Sequence, residues 1–160
     1  MIEERIATAI RASTLDDYLA FARMFVGEGA VDGVRLLRPD TLRLMASNRF
    51  TASQRATSKL LGLPLFASGH GFGMGVAVVV EPDKADPMRC GGGAGSVGWP
   101  GAYGGWWQAD PNDGSVLIFL AHNMVRLDQL ARGVGLGVWS AIRQFQALGS
   151  DSQSRAAEPA

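Results

Sequence analysis

Five residues, Asp110-Pro-Asn-Asp-Gly114, separate two apolar runs at 103–109 and 115–121, and this arrangement predicts an antiparallel hairpin. Proline fixes φ, the Asp and Asn side chains close turns on their own backbone, and glycine supplies a positive φ. Upstream, residues 72–80 alternate: Phe72, Met74, Val76, Val78 and Val80 face one way, while Gly73, Gly75, Ala77 and Val79 face the other. That spacing predicts another strand, with one bulky face and one nearly bare face against which a helix packs closely. The run Ser-Val-Leu-Ile-Phe-Leu-Ala at 115–121 is apolar on both faces, which suits a central strand or one covered on both sides.

Helical spacing dominates elsewhere. Over 14–26, Leu15, Tyr18, Leu19, Ala22, Phe25 and Val26 share a face opposite Asp16, Asp17 and Arg23. Ser13 with Asp16 resembles a capping box, and Gly27 and Gly29 supply the stop. A second helix is expected at 39–48, where Pro39 suits the first turn. A third is expected at 126–148, interrupted by Gly133, Gly135 and Gly137. Residues 51–69 show no sustained period and read as a long loop with a short apolar turn at 60–65. Residues 150–160 lack an apolar pattern and read as a disordered tail, leaving 1–149 as the domain. The expected fold class is α+β, a three-stranded antiparallel meander packed against helices.

Composition narrows the function classes. The chain's 15 Lys plus Arg balance 15 Asp plus Glu, which argues against a basic nucleic-acid binder. No apolar run reaches the roughly 18 residues of a membrane span, and no membrane partner is expected. Met-Ile-Glu-Glu-Arg-Ile opens with acids where a signal peptide carries lysines, so the default expectation is a cytoplasmic chain. Cys90 is a lone cysteine, and His70, Cys90 and His122 fall on different elements, so neither a disulfide framework nor a metal site is expected.

Three glycine-rich readings compete. A phosphate loop needs a strand, then glycines, then a helix, but Gly91–Gly95 leads into an aromatic strand-like stretch. Residues 93–98 approach a nucleophile elbow, yet Ala94 stands where a glycine is required and no helix follows Ser96. Nothing specific supports a triad of Ser96, His122 and an Asp. The most specific stretch is 95–111, Gly-Ser-Val-Gly-Trp-Pro-Gly-Ala-Tyr-Gly-Gly-Trp-Trp-Gln-Ala-Asp-Pro. It reads either as an aromatic strand with glycines for close packing, or as an edge whose bare backbone N–H groups face a reacting carbonyl.

That stretch resembles the third motif region of the serine β-lactamase-related hydrolases, which include class C β-lactamases, penicillin-binding peptidases and β-lactamase-like esterases. Trp99, Pro100 and Gly101 stand where the family carries its Lys-Thr-Gly, His-Thr-Gly or Trp-Gly-Gly tripeptide, followed by Ala102, Tyr103 and Gly104, then Trp106, Trp107, Asp110 and Pro111. Residues 13–45 are similar to the helix, turn and helix before this strand, and the similarity extends to about residue 147.

The family's nucleophile motif, Ser-x-x-Lys, is absent here, as is Tyr-x-Asn. The resemblance therefore implies the C-terminal part of a hydrolase acting on ester, amide or β-lactam substrates through an acyl-serine, inactive alone and needing no cofactor. It implies that the Ala102 N–H is one oxyanion donor and that Trp99, Pro100, Gly101 and Tyr103 meet the substrate. Trp99 in place of Lys removes a binder for a substrate carboxylate and leans towards neutral esters. The implied partners are a small ester or amide once the N-terminal part is present, and a complementary fragment or second copy of the chain. The competing expectation is a non-catalytic dimerisation or partner-binding module on the same scaffold.

Overall fold

The computed structural model describes residues 13–60, 63–64, 66, 69–85, 91–101, 103–124, 126 and scattered positions from 128 to 149. The chain order is α1 (Leu15–Val26), β1 (Ala30–Val31), β2 (Val34–Arg35), α2 (Pro39–Met45), α3 (Ala52–Thr57), β3 (Lys59–Leu60), β4 (Leu63–Pro64), β5 (His70–Phe72), β6 (Ala77–Val79), β7 (Val97–Pro100), β8 (Trp106–Asp110) and β9 (Ser115–Phe119). Strands β5 to β9 form one antiparallel sheet in sequence order. The class is α+β, as the sequence predicts, but among the described residues the meander has five strands instead of three.

Two differences produce that count. The expected strand at 72–80 is a hairpin, β5 and β6, because the chain reverses through Gly75 at φ +80° and the Gly73 N–H bonds the Val76 carbonyl at 2.8 Å. The alternation across 72–80 thus came from a turn and not from one pleat. The second difference is β7, unforeseen at 97–100, while the strand expected at 103–109 begins only at Trp106. The bare glycine face does admit a helix end: a Cβ on Gly73 would collide with the Met45 carbonyl oxygen at the close of α2.

Helix α1 packs on one face of the sheet. Ala22, Met24 and Phe25 join Leu42, Val76, Val78, Val97, Trp107 and Ala109 in one buried cluster. Trp107 contacts Tyr18, Phe21 and Phe25 with ring centroids 6.0, 5.2 and 5.5 Å apart. The helix starts one residue later than Ser13 implies: Thr14 caps it by accepting the Asp17 N–H at 3.1 Å, and Asp17 accepts the Thr14 N–H. Helix α3 lies in the segment read as a loop, and its capping box of Thr51 and Gln54 was the available signal.

Strand β9 ends the described sheet, with all five residues only half-buried. Strand β8, between β7 and β9, is buried along its whole length, as is the shorter β6. The third expected helix, most of residues 126–148, and the tail at 150–160 lie outside the described residues. No helix among the described residues is long and apolar enough to cross a membrane.

Candidate functional site

Antiparallel order brings the end of β7, the start of β8 and the end of β9 to one end of the sheet. Trp99 pairs with Trp107, Pro100 with Trp106, and Trp106 with Phe119. A cavity of about 640 Å³ opens there, bordered by Trp99, Pro100, Gly101 and Tyr103 together with Tyr18, Trp106, Trp107, Leu120 and His122. Four of the five sequence-predicted site residues therefore share one cavity. The fifth, Ala102, lies outside the described residues.

Strand β7 pairs with β8 along its whole length but with β6 only at Val97 and Gly98, so at Trp99 and Pro100 the side away from β8 has no strand partner among the described residues, as the edge reading of the 95–111 stretch expects. Beyond Pro100, the Gly101 N–H bonds the Gly105 carbonyl at 2.8 Å and the Gly104 N–H bonds the Gly101 carbonyl at 3.0 Å, closing a tight turn.

Sequence reasoning missed Tyr18 and His122 as cavity residues. Tyr18 comes from the first turn of α1, and burial pushes its phenol pKa up. His122 lies three residues past β9 and meets the Tyr103 ring edge-on at 5.6 Å. The meander topology carried the signal for His122, because the end of one strand adjoins the end of the next strand but one.

At the opposite end of the sheet, the glycine run is locked. The Asp110 carboxylate accepts the Gly93 N–H at 2.7 Å, the Asn112 N–H at 2.9 Å and the Asn112 side-chain amide at 2.7 Å. Gln108 accepts the Gly91 N–H at 3.1 Å, and the Gly95 N–H bonds the Val79 carbonyl at 2.8 Å. Burial by itself would raise the Asp110 pKa, but the Gly93 and Asn112 donors and the Ser96 hydroxyl outweigh it and hold the carboxyl below its ordinary value. These amides are spent on protein acceptors, so the phosphate-loop reading falls.

Ser96 is fully buried, at 0% exposure, whereas His122 is exposed and sits at the other end of the sheet. Four residues of strand separate Ser96 from Pro100, roughly 13 Å at about 3.3 Å per residue, so Ser96 and His122 form no triad. Cys90 lies outside the described residues.

No family model matches the chain. Two curated proteins of Mycobacterium tuberculosis, "Protein Rv1367c" (strain H37Rv) and "Uncharacterized protein MT1414" (strain CDC 1551), are each 50% identical to it over 108 residues, covering 68% of this chain and 26% of their own length. The chain thus spans about a quarter of the curated relatives it matches. Among solved structures, EstCE1, a hydrolase with promiscuous acyltransferase activity, superposes with a TM-score of 0.50 at 24% identity over 68% of this chain and 24% of its own. A variant of simvastatin synthase from Aspergillus terreus superposes with a TM-score of 0.55 at 18% identity over 84% of this chain and 35% of its own. At these identities the likeness shows the fold alone: this chain has the architecture of one portion of EstCE1 and of simvastatin synthase.

Proposed function

We propose that the chain is the C-terminal portion of a β-lactamase-related serine hydrolase that cleaves esters, amides or β-lactams through an acyl-serine. The observation that carries this reading is the cavity at the end of β7, bordered by Trp99, Pro100 and Gly101, the residues aligned with the family's third tripeptide. A nucleophilic serine supplied by polypeptide outside these 160 residues would attack the carbonyl carbon, forming a C–O bond while negative charge gathers on the carbonyl oxygen. Ala102, the residue after the tripeptide, would donate its N–H to that oxygen. As the tetrahedral carbon collapses, the bond to the leaving group breaks and the leaving group takes up the serine's proton. Water then attacks the acyl-serine to release the acid.

Trp99, where Lys is common in the family, offers an aromatic surface and no charge. This favours neutral substrates over those that carry a carboxylate beside the reacting carbonyl.

A second reading, a partner-binding or dimerisation module, draws on the edge of β9. That edge has no neighbour among the described residues, and an open ladder is a template for another strand.

The test is hydrolysis of p-nitrophenyl butyrate by the chain alone and by a fusion in which it replaces the matching quarter of Protein Rv1367c. The hydrolase reading expects no turnover from the first and turnover from the second. An inert but folded fusion, with self-association of the lone chain, overturns it in favour of the second reading.

A further inference from the structure

We infer that the cavity at the end of β7 is a binding pocket for an uncharged aromatic group, the acyl or alcohol side of a neutral ester or amide. This deepens the hydrolase reading and rests on it for the reacting carbonyl, but binding needs no turnover.

Three features of the walls carry it. Trp99, Trp107, Tyr18 and Tyr103 give the cavity flat aromatic surfaces, which reward ring-on-ring contact beyond simple burial. None of the described residues lining it is Lys, Arg, Asp or Glu, so a charged ligand would shed its hydration without meeting an opposite charge. The volume, about 640 Å³, lies within the roughly 300–1,000 Å³ typical of small-molecule sites.

A cation is the other ligand that aromatic walls attract, but a cation cage needs ring faces converging on one point. Trp106 and Trp107 are successive residues of β8 and project to opposite sides of the sheet, so their ring faces do not converge on one point. That arrangement suits a flat ring system better than a point charge. The polar groups at hand, the Tyr hydroxyls and the His122 imidazole, can orient a neutral carbonyl by hydrogen bonding.

The test compares three probes that share one ring system: 2-naphthylacetamide, 2-naphthylacetate and 2-naphthylmethylammonium. Equilibrium dialysis against the 160-residue chain should give at least about tenfold tighter binding of the amide than of either ion. Cyclohexylacetamide should bind more weakly than the naphthyl amide. Leu120 lines the cavity at 47% exposure, so Leu120→Lys should leave the fold intact and move the preference at least about fivefold towards the acetate. Val34→Lys, on an exposed residue of β2 outside the cavity lining, should leave all three affinities unchanged. No binding, equal binding of amide and acetate, a preference for the ammonium probe, or a Leu120→Lys variant with an unaltered preference each overturns the inference. Loss of naphthyl binding together with a hydrolytically active fusion would reject the pocket and keep the hydrolase. Selective binding with an inert fusion would do the reverse.

Discussion

Trp99 and Trp107 stand directly opposite each other across β7 and β8, the first half-buried at the cavity and the second buried under α1. Trp99 continues outward into Phe72 and Phe66, with ring centroids 5.1 and 6.3 Å away, while Trp107 continues inward into Tyr18, Phe21 and Phe25. The wall of the cavity and the core under the helix are thus neighbouring parts of one aromatic layer. Ligand binding at Trp99 and packing of α1 are expected to report on each other.

Trp107→Ala removes the ring on which three aromatic side chains of α1 converge. Truncating a buried Trp costs about 3–5 kcal/mol, so urea unfolding should show a loss of that size and a lowered midpoint. Trp99→Ala, at a half-buried position, should cost clearly less.

Asp110→Asn should destabilise the chain by about 1–3 kcal/mol at neutral pH, because a charge-assisted acceptor of the Gly93 and Asn112 donors becomes a neutral amide. The pH dependence follows from the lowered pKa of Asp110. A carboxyl whose folded pKa lies below its unfolded value contributes stability that is fully present above the unfolded value, about 3.9, and is lost as pH falls through the folded value. The gap between the parent and Asp110→Asn should therefore be widest above about pH 5 and close as pH falls below the unfolded value and through the folded one in denaturation series at stepped pH. A gap that widens on acidification would contradict this.

Gly73→Ala should cost about 2–4 kcal/mol, since the new methyl collides with the Met45 carbonyl, a backbone atom at the end of α2 that cannot move without dragging the helix. Thermal unfolding checks it, and a change within a few tenths would show that β5 and α2 are less closely apposed.

Thr14→Ala should cost about 1 kcal/mol through loss of the α1 cap, whereas Ser13→Ala should stay within about 0.5 kcal/mol. Equal losses would place the cap at Ser13.

The cap is one instance of how far the sequence could be read. Periodicity located α1 within a residue of its bounds, and the Asp110–Gly114 turn placed β8 and β9, because both signals are local. The Gly114 N–H closes that turn on the Asp110 carbonyl at 2.9 Å. Residues 72–80 misled because Gly73 and Gly75 satisfy a period of two equally well as strand positions and as a reversal. β7 was hidden because a four-residue strand of Val, Gly, Trp and Pro has almost no propensity of its own and exists through its two neighbours. The cavity residues Trp99–Gly101 and Tyr103 were legible as an unusual aromatic and glycine run. Tyr18 was not, because its helix face looks the same whether it meets a core or a cleft.

The central claim is that this chain contributes the β7 end and the turn after it to an acyl-transfer site whose nucleophile lies elsewhere in a longer polypeptide. The most direct measurement is intact-mass and peptide mapping after treatment with a fluorophosphonate, applied to the chain alone and to its fusion with the remaining three quarters of Protein Rv1367c. The account predicts no adduct on the lone chain and one adduct on the fusion, on a serine outside these 160 residues. An adduct on a serine within them, Ser96 above all, would contradict it.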